Sequence, residues 1–231
     1  MLLDYLYPLR CPICDNIVKP LGDRICRGCV DKLRYVAEPR CMKCGKQLQD
    51  ESRKVCYDCE TADHMYDRGL TLYEYASVRE SIYRFKYEGR REYAGFYGEQ
   101  VAKYLGDKIL AWRPDALVPV PLFRAKERKR GYNQAALIAG AIGKQLGIAV
   151  EDGLIQRVRN TTPQKELSNI ERQNNLEKAF IIARNDVKLY TIIIIDDIYT
   201  TGSTIDAISA EFRRYGIQKI YYVALASGSG F

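Results

Sequence analysis

Ile192-Ile193-Ile194-Ile195-Asp196-Asp197-Ile198-Tyr199-Thr200-Thr201-Gly202-Ser203-Thr204 is the stretch that decides the fold. Four consecutive isoleucines have no polar alternate, so they fit a central strand buried on both faces. In open α/β sheets, ligands bind beyond the carboxyl ends of such strands. Two aspartates stand at that end, followed by four hydroxyl residues around one glycine. Gly202 lets the backbone turn closely around a ligand. The loop amides and the N-terminus of a following helix offer donors and a positive dipole to a phosphate. Thr200, Thr201, Ser203 and Thr204 add hydroxyls. The loop has no lysine and lacks the GxxxxGKS/T pattern, which excludes a nucleotide P-loop. Two carboxylates beside a monophosphate cradle suit a ribose 5-phosphate, with sugar hydroxyls on Asp196 and Asp197 and the phosphate on residues 200–204. A plain strand–turn–helix with capping hydroxyls would use one or two of these groups, and it does not call for paired aspartates.

Outward from this stretch, strand and helix signals alternate across residues 66–231. Residues 70–75 and 116–120 suit strands. Ser77-Val78-Arg79-Glu80 matches a capping box opening a helix whose Val78, Ile82 and Phe85 share a face. Tyr93, Tyr97, Val101, Tyr104 and Leu105 mark a second helix, with Gly106 as its expected end. Asn133 is the expected cap of a third, stopped by Gly147. Short strands are expected at 155–158 and 179–182. Ile205, Ile208, Phe212 and Tyr215 form one face of a helix ended by Gly216, and residues 219–226 form a last apolar strand. The expectation is an α/β fold, a mostly parallel sheet with helices on both faces.

The first 65 residues have a different character. All eight cysteines lie between positions 11 and 59, as four CxxC pairs with 11 residues between successive pairs: Cys11/Cys14, Cys26/Cys29, Cys41/Cys44 and Cys56/Cys59. A CxxC turn brings two sulfurs within reach of one ion, and zinc takes four at tetrahedral corners. Four knuckles therefore make two closed structural Zn²⁺ sites. A shift of 30 residues lays Arg10 on Arg40, Val18 on Leu48, Arg24 on Lys54 and Ile25 on Val55. That repeat implies two copies of one ribbon, with Cys11, Cys14, Cys26 and Cys29 on one zinc and Cys41, Cys44, Cys56 and Cys59 on the other. Cross-braced pairing is the alternative. Residues 1–65 are expected to form a double zinc-ribbon module and residues 66–231 a second domain. His64, five residues after Cys59, is expected at the surface rather than as a ligand.

The 231 residues are 47% hydrophobic, enough to bury a core, and the single histidine excludes multi-histidine metal chemistry. No apolar run is long enough to span a membrane, and Asp4 interrupts the first ten residues, which do not read as a secretory signal. A cytoplasmic location is expected, where disulfides are rare. The formal charge is +7. Two Cys₄ zinc sites would lower it to about +3. The informative charge is local: Arg124, Lys126, Arg128, Lys129 and Arg130 within seven residues.

Residues 192–204 resemble the signature of the type I phosphoribosyltransferases. That resemblance implies 5-phosphoribosyl 1-pyrophosphate (PRPP) with Mg²⁺ as ligand, and it implies that Asp196 and Asp197 meet the ribose hydroxyls and Thr200, Thr201, Gly202, Ser203 and Thr204 the 5-phosphate. It also implies a pyrophosphate loop after the first core strand, here Val118-Pro119-Val120-Pro121 and the residues just after them, with Arg124 and Arg130 as further candidates. A mobile loop in residues 161–172 would close over the reaction, with Gln164, Lys165 and Arg172 near the leaving group. The cysteine ribbons, Arg84-Phe85-Lys86-Tyr87, Pro119-Val120-Pro121-Leu122, Arg130-Gly131-Tyr132-Asn133-Gln134 and residues 196–204 together resemble the ComF competence-protein family. Ile198, Ser203 and Phe123 depart from the residues common in that family. The likeness implies a part in DNA uptake during natural transformation. Single-stranded DNA is a further candidate partner, through basic residues and the 18 tyrosines. A helicase-like or recombination protein docked on the ribbons is another. The acceptor of a phosphoribosyl transfer is not legible, and a non-catalytic PRPP sensor is the alternative.

Overall fold

The protein is described from a computed structural model, which covers residues 8–20, 22–159, 179–184 and 188–228. Arg172, Gln164 and Lys165 lie outside the described residues. The elements, in chain order, are α1 Arg27–Val30, α2 Tyr57–Thr61, β1 Arg68–Glu74, α3 Tyr75–Tyr87, α4 Tyr93–Ala111, β2 Ala116–Pro119, α5 Arg124–Arg130, α6 Gln134–Leu146, β3 Ile155–Arg157, β4 Phe180–Ile182, β5 Thr191–Tyr199, α7 Ser203–Tyr215 and β6 Lys219–Ser227.

Four strands form one parallel sheet in the order β1-β6-β5-β2. The isoleucines of β5 show why it is central. Ile193 and Ile195 enter one core with Phe85 of α3, Tyr97 and Val101 of α4 and Ile138 of α6. Ile192 and Ile194 enter a second core with Ile208 and Phe212 of α7 and Phe180 of β4. Side chains on a strand alternate faces, so an unbroken apolar run can be satisfied only by a sheet covered twice. Each fully buried isoleucine contributes about 1.5–3 kcal/mol of transfer free energy.

The short strands β3 and β4 pair antiparallel as a separate hairpin rather than joining the main sheet. Two other expectations are corrected. Helix α3 starts at Tyr75, before Ser77, whose hydroxyl donates back to the Glu74 carbonyl at 2.9 Å instead of capping. Helix α4 runs through Gly106 to Ala111. A Cβ at Gly106 would stand 3.3 Å from Leu146 Cδ2, so this glycine serves the close approach of α4 and α6. Asn133 does cap α6, its Oδ1 accepting the Ala135 amide at 3.0 Å, and Gly147 ends that helix with φ +68°.

The 30-residue repeat appears in the backbone. Cys11 and Cys41 amides donate to Asn16 and Lys46 carbonyls, both at 2.8 Å, and Val18 and Leu48 amides to Leu9 and Pro39 carbonyls at 2.9 and 2.8 Å. The positive-φ turn falls on Asp15 (+58°) and Gly45 (+72°), again 30 residues apart. The segment between the two ribbons lies along the open edge of β1. Val36 N donates to Leu72 O, and Glu74 N to Arg34 O, both at 2.9 Å.

Candidate ligand site and metal centres

The sulfurs of Cys41, Cys44, Cys56 and Cys59 all lie within 4.8 Å of one another, as do those of Cys11, Cys14 and Cys29. The Cys26 sulfur stands 4.0 Å from that of Cys14 but outside the mutual 4.8 Å of those three. Four ligands about 2.3 Å from one zinc stand about 3.8 Å apart. Cys44 and Cys56 sulfurs are separated by 3.6 Å, so the four-sulfur set of the second ribbon fits tetrahedral zinc. The grouping follows the sequential pairing. Amides of Cys44 and Cys56 donate to the Cys41 sulfur at 3.5 and 3.3 Å, the way a knuckle stabilises a thiolate.

At the carboxyl end of β5 the two aspartates differ sharply. Asp197 is buried, and its Oδ1 meets Lys86 Nζ of α3 at 2.7 Å. Among the described residues its Oδ2 is buried without a hydrogen-bond partner. Strand parity accounts for the pairing, because Asp197 shares the face of Ile193 and Ile195, on which α3 packs. Asp196 accepts the Asp197 amide at 2.8 Å. Burial first, then the neighbouring Asp197 charge, pushes the Asp196 carboxyl up to about 7, against the opposing pull of Lys86 and Arg157. The Lys86 ammonium is held above its ordinary range: burial opposes the charge, but the Asp197 carboxylate outweighs it.

Sequence reasoning does not mark Lys86 as a site residue, although a signal exists: it stands four residues after Ile82 on the buried face of α3. Its four-residue stretch divides its work. Arg84 donates to the carbonyls of Pro12 and Ile13 at 3.1 and 2.9 Å and so holds the first ribbon, while Phe85 enters the core. Lys86 reaches Asp197, and Tyr87 lies at the surface with the Arg130 guanidinium 5.3 Å over its ring.

Beyond β5, Gly202 adopts φ +85° as the N-cap of α7, and Thr201 and Ser203 hydroxyls meet at 2.9 Å. Thr200 and Thr201 are exposed, and Ser203 and Thr204 half-buried. A Cβ on Gly202 would lie 2.7 Å from Tyr199 Oη. Across the sheet, Val120 N donates to Ile195 O at 2.9 Å, which sets the loop after β2 beside the strand that carries the aspartates. Asn133 Nδ2 donates to Val120 O at 3.0 Å, so one side chain caps α6 and fixes that loop. The basic run forms α5, with Arg124 exposed at its start and Arg130 hydrogen-bonded to Gln134 at its end. A cavity of about 660 Å³ lies between Pro121, Arg124, Arg128 and the hairpin residues Gln156 and Arg157.

His64 is buried, not at the surface as expected, and its Nδ1 stands 2.8 Å from Asp206 Oδ2. Among the described residues no helix is long and apolar enough to cross a membrane.

A family model described as a double zinc ribbon domain matches residues 2–60. Competence protein F of Haemophilus influenzae is 29% identical over 233 residues, covering 95% of this chain and 97% of that protein. Competence protein ComFC of Bacillus subtilis is 28% identical, covering 87% of each chain. DNA utilization protein YhgH of Salmonella typhimurium is 30% identical over 200 residues, 83% of this chain and 85% of that one. Among solved structures, a purine phosphoribosyltransferase from Pyrococcus horikoshii matches with a TM-score of 0.36 and 17% identity over 57% of this chain and 73% of that one, a likeness too loose to carry an argument.

Proposed function

This chain belongs to the family of competence protein F, ComFC and YhgH, and from that premise we propose that it binds PRPP with Mg²⁺ and serves the handling of DNA taken up by the cell. The observation that carries the ligand is the Asp196/Asp197 pair at the end of a strand buried on both faces. Asp197 has one oxygen paired with Lys86 and the other buried without a partner among the described residues. A buried acceptor left unsatisfied costs about 1–3 kcal/mol, and a turn of the carboxylate that brings this oxygen to the surface would let a ribose hydroxyl donate to it. The 5-phosphate falls to residues 200–204, where the Gly202 turn opens the N-terminus of α7. Val120, Pro121, Arg124 and Arg130 are assigned to the pyrophosphate.

Asp196 and Asp197 are also the oxygen ligands that suit a hard cation. Mg²⁺ would neutralise the charge of the pyrophosphate. In a transfer, the lone pair of an acceptor forms a bond to the anomeric carbon, the bond from that carbon to the pyrophosphate oxygen breaks, and pyrophosphate leaves with the electron pair. The acceptor proton passes to solvent. Lys86 stays ion-paired with Asp197 and holds its carboxylate in place during that step, and the apolar wall of β5 limits water on the sheet side.

Titration calorimetry with PRPP and Mg²⁺ tests the reading. Micromolar binding by the wild type, lost in the double variant Asp196→Ala with Asp197→Ala, is expected. A wild type that binds no PRPP overturns it. Binding without pyrophosphate release across a panel of acceptors favours the sensor over the transferase.

A second reading, contact with single-stranded DNA, has its own observation. Tyr83 and Tyr87 are exposed with ring centroids 5.0 Å apart and border a cavity of about 400 Å³ that Lys86 and Arg79 also line. Exposed aromatic rings beside cations suit unpaired bases. Affinity that falls with salt and drops in Tyr83→Ala with Tyr87→Ala supports this reading, and salt-independent affinity removes it.

A further inference from the structure

The single histidine of the chain stands where the second ribbon meets the loop that follows β5. It is outside the sulfur cluster of that ribbon. Its Nδ1 pairs with Asp206 Oδ2 at 2.8 Å, and the next amide, of Met65, donates to Asp206 Oδ1 at 2.9 Å. One carboxylate in the first turn of α7 thus takes two donors from the ribbon end. The Asp206 amide in turn donates to Gly202 O at 2.8 Å. On its other side the imidazole stacks on Tyr66, with centroids 4.8 Å apart, and the Tyr66 hydroxyl shares a 2.8 Å hydrogen bond with the Tyr199 hydroxyl. Tyr199 is the last residue of β5 and Asp206 lies in the first turn of α7, so the two flank the loop. Its turning point is also touched, because a Cβ on Gly202 would lie 3.0 Å from His64 Cε1.

Any buried imidazole N–H needs a partner, and here that partner, Asp206, belongs to the helix that the loop opens. This ring is hydrogen-bonded to one flank of the loop, linked through Tyr66 to the other, and in contact with the glycine between. We propose that His64 is a positioning residue of the phosphate loop: through Asp206 it holds residues 200–204 in the shape that receives a phosphomonoester. The second ribbon is then part of the ligand site rather than an appendage beside it. The identity of the ligand rests on the phosphoribosyl reading; the positioning of the loop does not.

Three variants of the full zinc-loaded chain separate positioning from packing. His64→Ala removes ring and hydrogen bond. His64→Phe keeps the ring volume without the nitrogen. His64→Asn restores a donor where Nδ1 stood. Hydrogen–deuterium exchange of amides 200–206 in the ligand-free protein is expected to rise about tenfold in His64→Ala and His64→Phe, and to return close to wild type in His64→Asn. In calorimetry the same two variants are expected to bind PRPP about tenfold more weakly, with rescue by His64→Asn. Unchanged loop exchange in His64→Phe overturns the proposal, as does unchanged affinity in that variant when the wild type binds. A wild type that binds no PRPP defeats the phosphoribosyl reading, and the exchange result still decides the role of His64.

Discussion

Lys86 and Asp197 carry the sharpest energetic demand at the scale of single residues. A buried ion pair gains little over apolar packing, but removing one partner strands the other charge at about 3–5 kcal/mol. Lys86→Met, which keeps most of the volume, is expected to lose stability of that order in urea unfolding. Adding Asp197→Asn is expected to recover most of it. Asp196 makes a second demand, with the opposite sense of pH. Its carboxyl is raised by burial from 3.8 to about 7 in the folded protein. Between those values the native state holds a proton that the unfolded state has released, so the contribution of Asp196 to stability is present at low pH and is lost as pH rises towards 7. Unfolding free energies of wild type and Asp196→Asn, measured from pH 4 to pH 7.5, are expected to converge at the acid end and to separate in favour of the asparagine variant near neutrality.

The ribbons and the sheet meet at places where a side chain does not fit, so their joint is tested at the scale of elements. Gly45 has φ +72°, and a Cβ there would lie 2.5 Å from Gly69 O and 2.9 Å from Leu70 Cα, both backbone atoms that cannot swing aside. Gly45→Ala is expected to cost more than about 2 kcal/mol, read as a lower midpoint in thermal unfolding with zinc still bound. The same elements show what the sequence makes legible. The isoleucine run of β5 announces a doubly covered strand, because four β-branched residues in a row favour an extended backbone buried on both faces over a helix. The paired CxxC spacing announces the ribbons, and the 30-residue repeat selects which cysteines meet. Strand order and the β3–β4 hairpin depend on pairings between segments whose local patterns are alike. Lys86 is hidden because a lysine among helical residues reads as solvent-facing until the aspartate opposite it is known. His64 is hidden because its partner lies 142 positions along the chain, at Asp206.

At the scale of the whole molecule, composition divides the chain near residue 65, while the contacts do not. Tyr222 donates to Cys44 O at 2.6 Å, Gly69 N to Lys43 O at 2.8 Å, and Arg90 clasps Asp15 through two bonds of 2.9 and 2.8 Å. We propose that the boundary separates two sequence characters within one folding unit. Residues 66–231 produced alone are expected to lack a cooperative thermal transition, whereas the full chain shows one; a cooperative transition in the fragment would show that it folds by itself. The segment along β1 carries a last consequence. Strands at the rim of a sheet recruit other strands unless something occupies their unpaired amides and carbonyls, and here Val36 and Arg34 do so from a stretch tethered at both ends by zinc sites. Stripping the metal with a chelator should free that tether and leave β1 able to template intermolecular β-structure. Light scattering and thioflavin fluorescence are then expected to climb with time and protein concentration, and timely return of Zn²⁺ to prevent it. Metal supply would in this way govern how long the chain escapes aggregation, independently of anything its ligand site does.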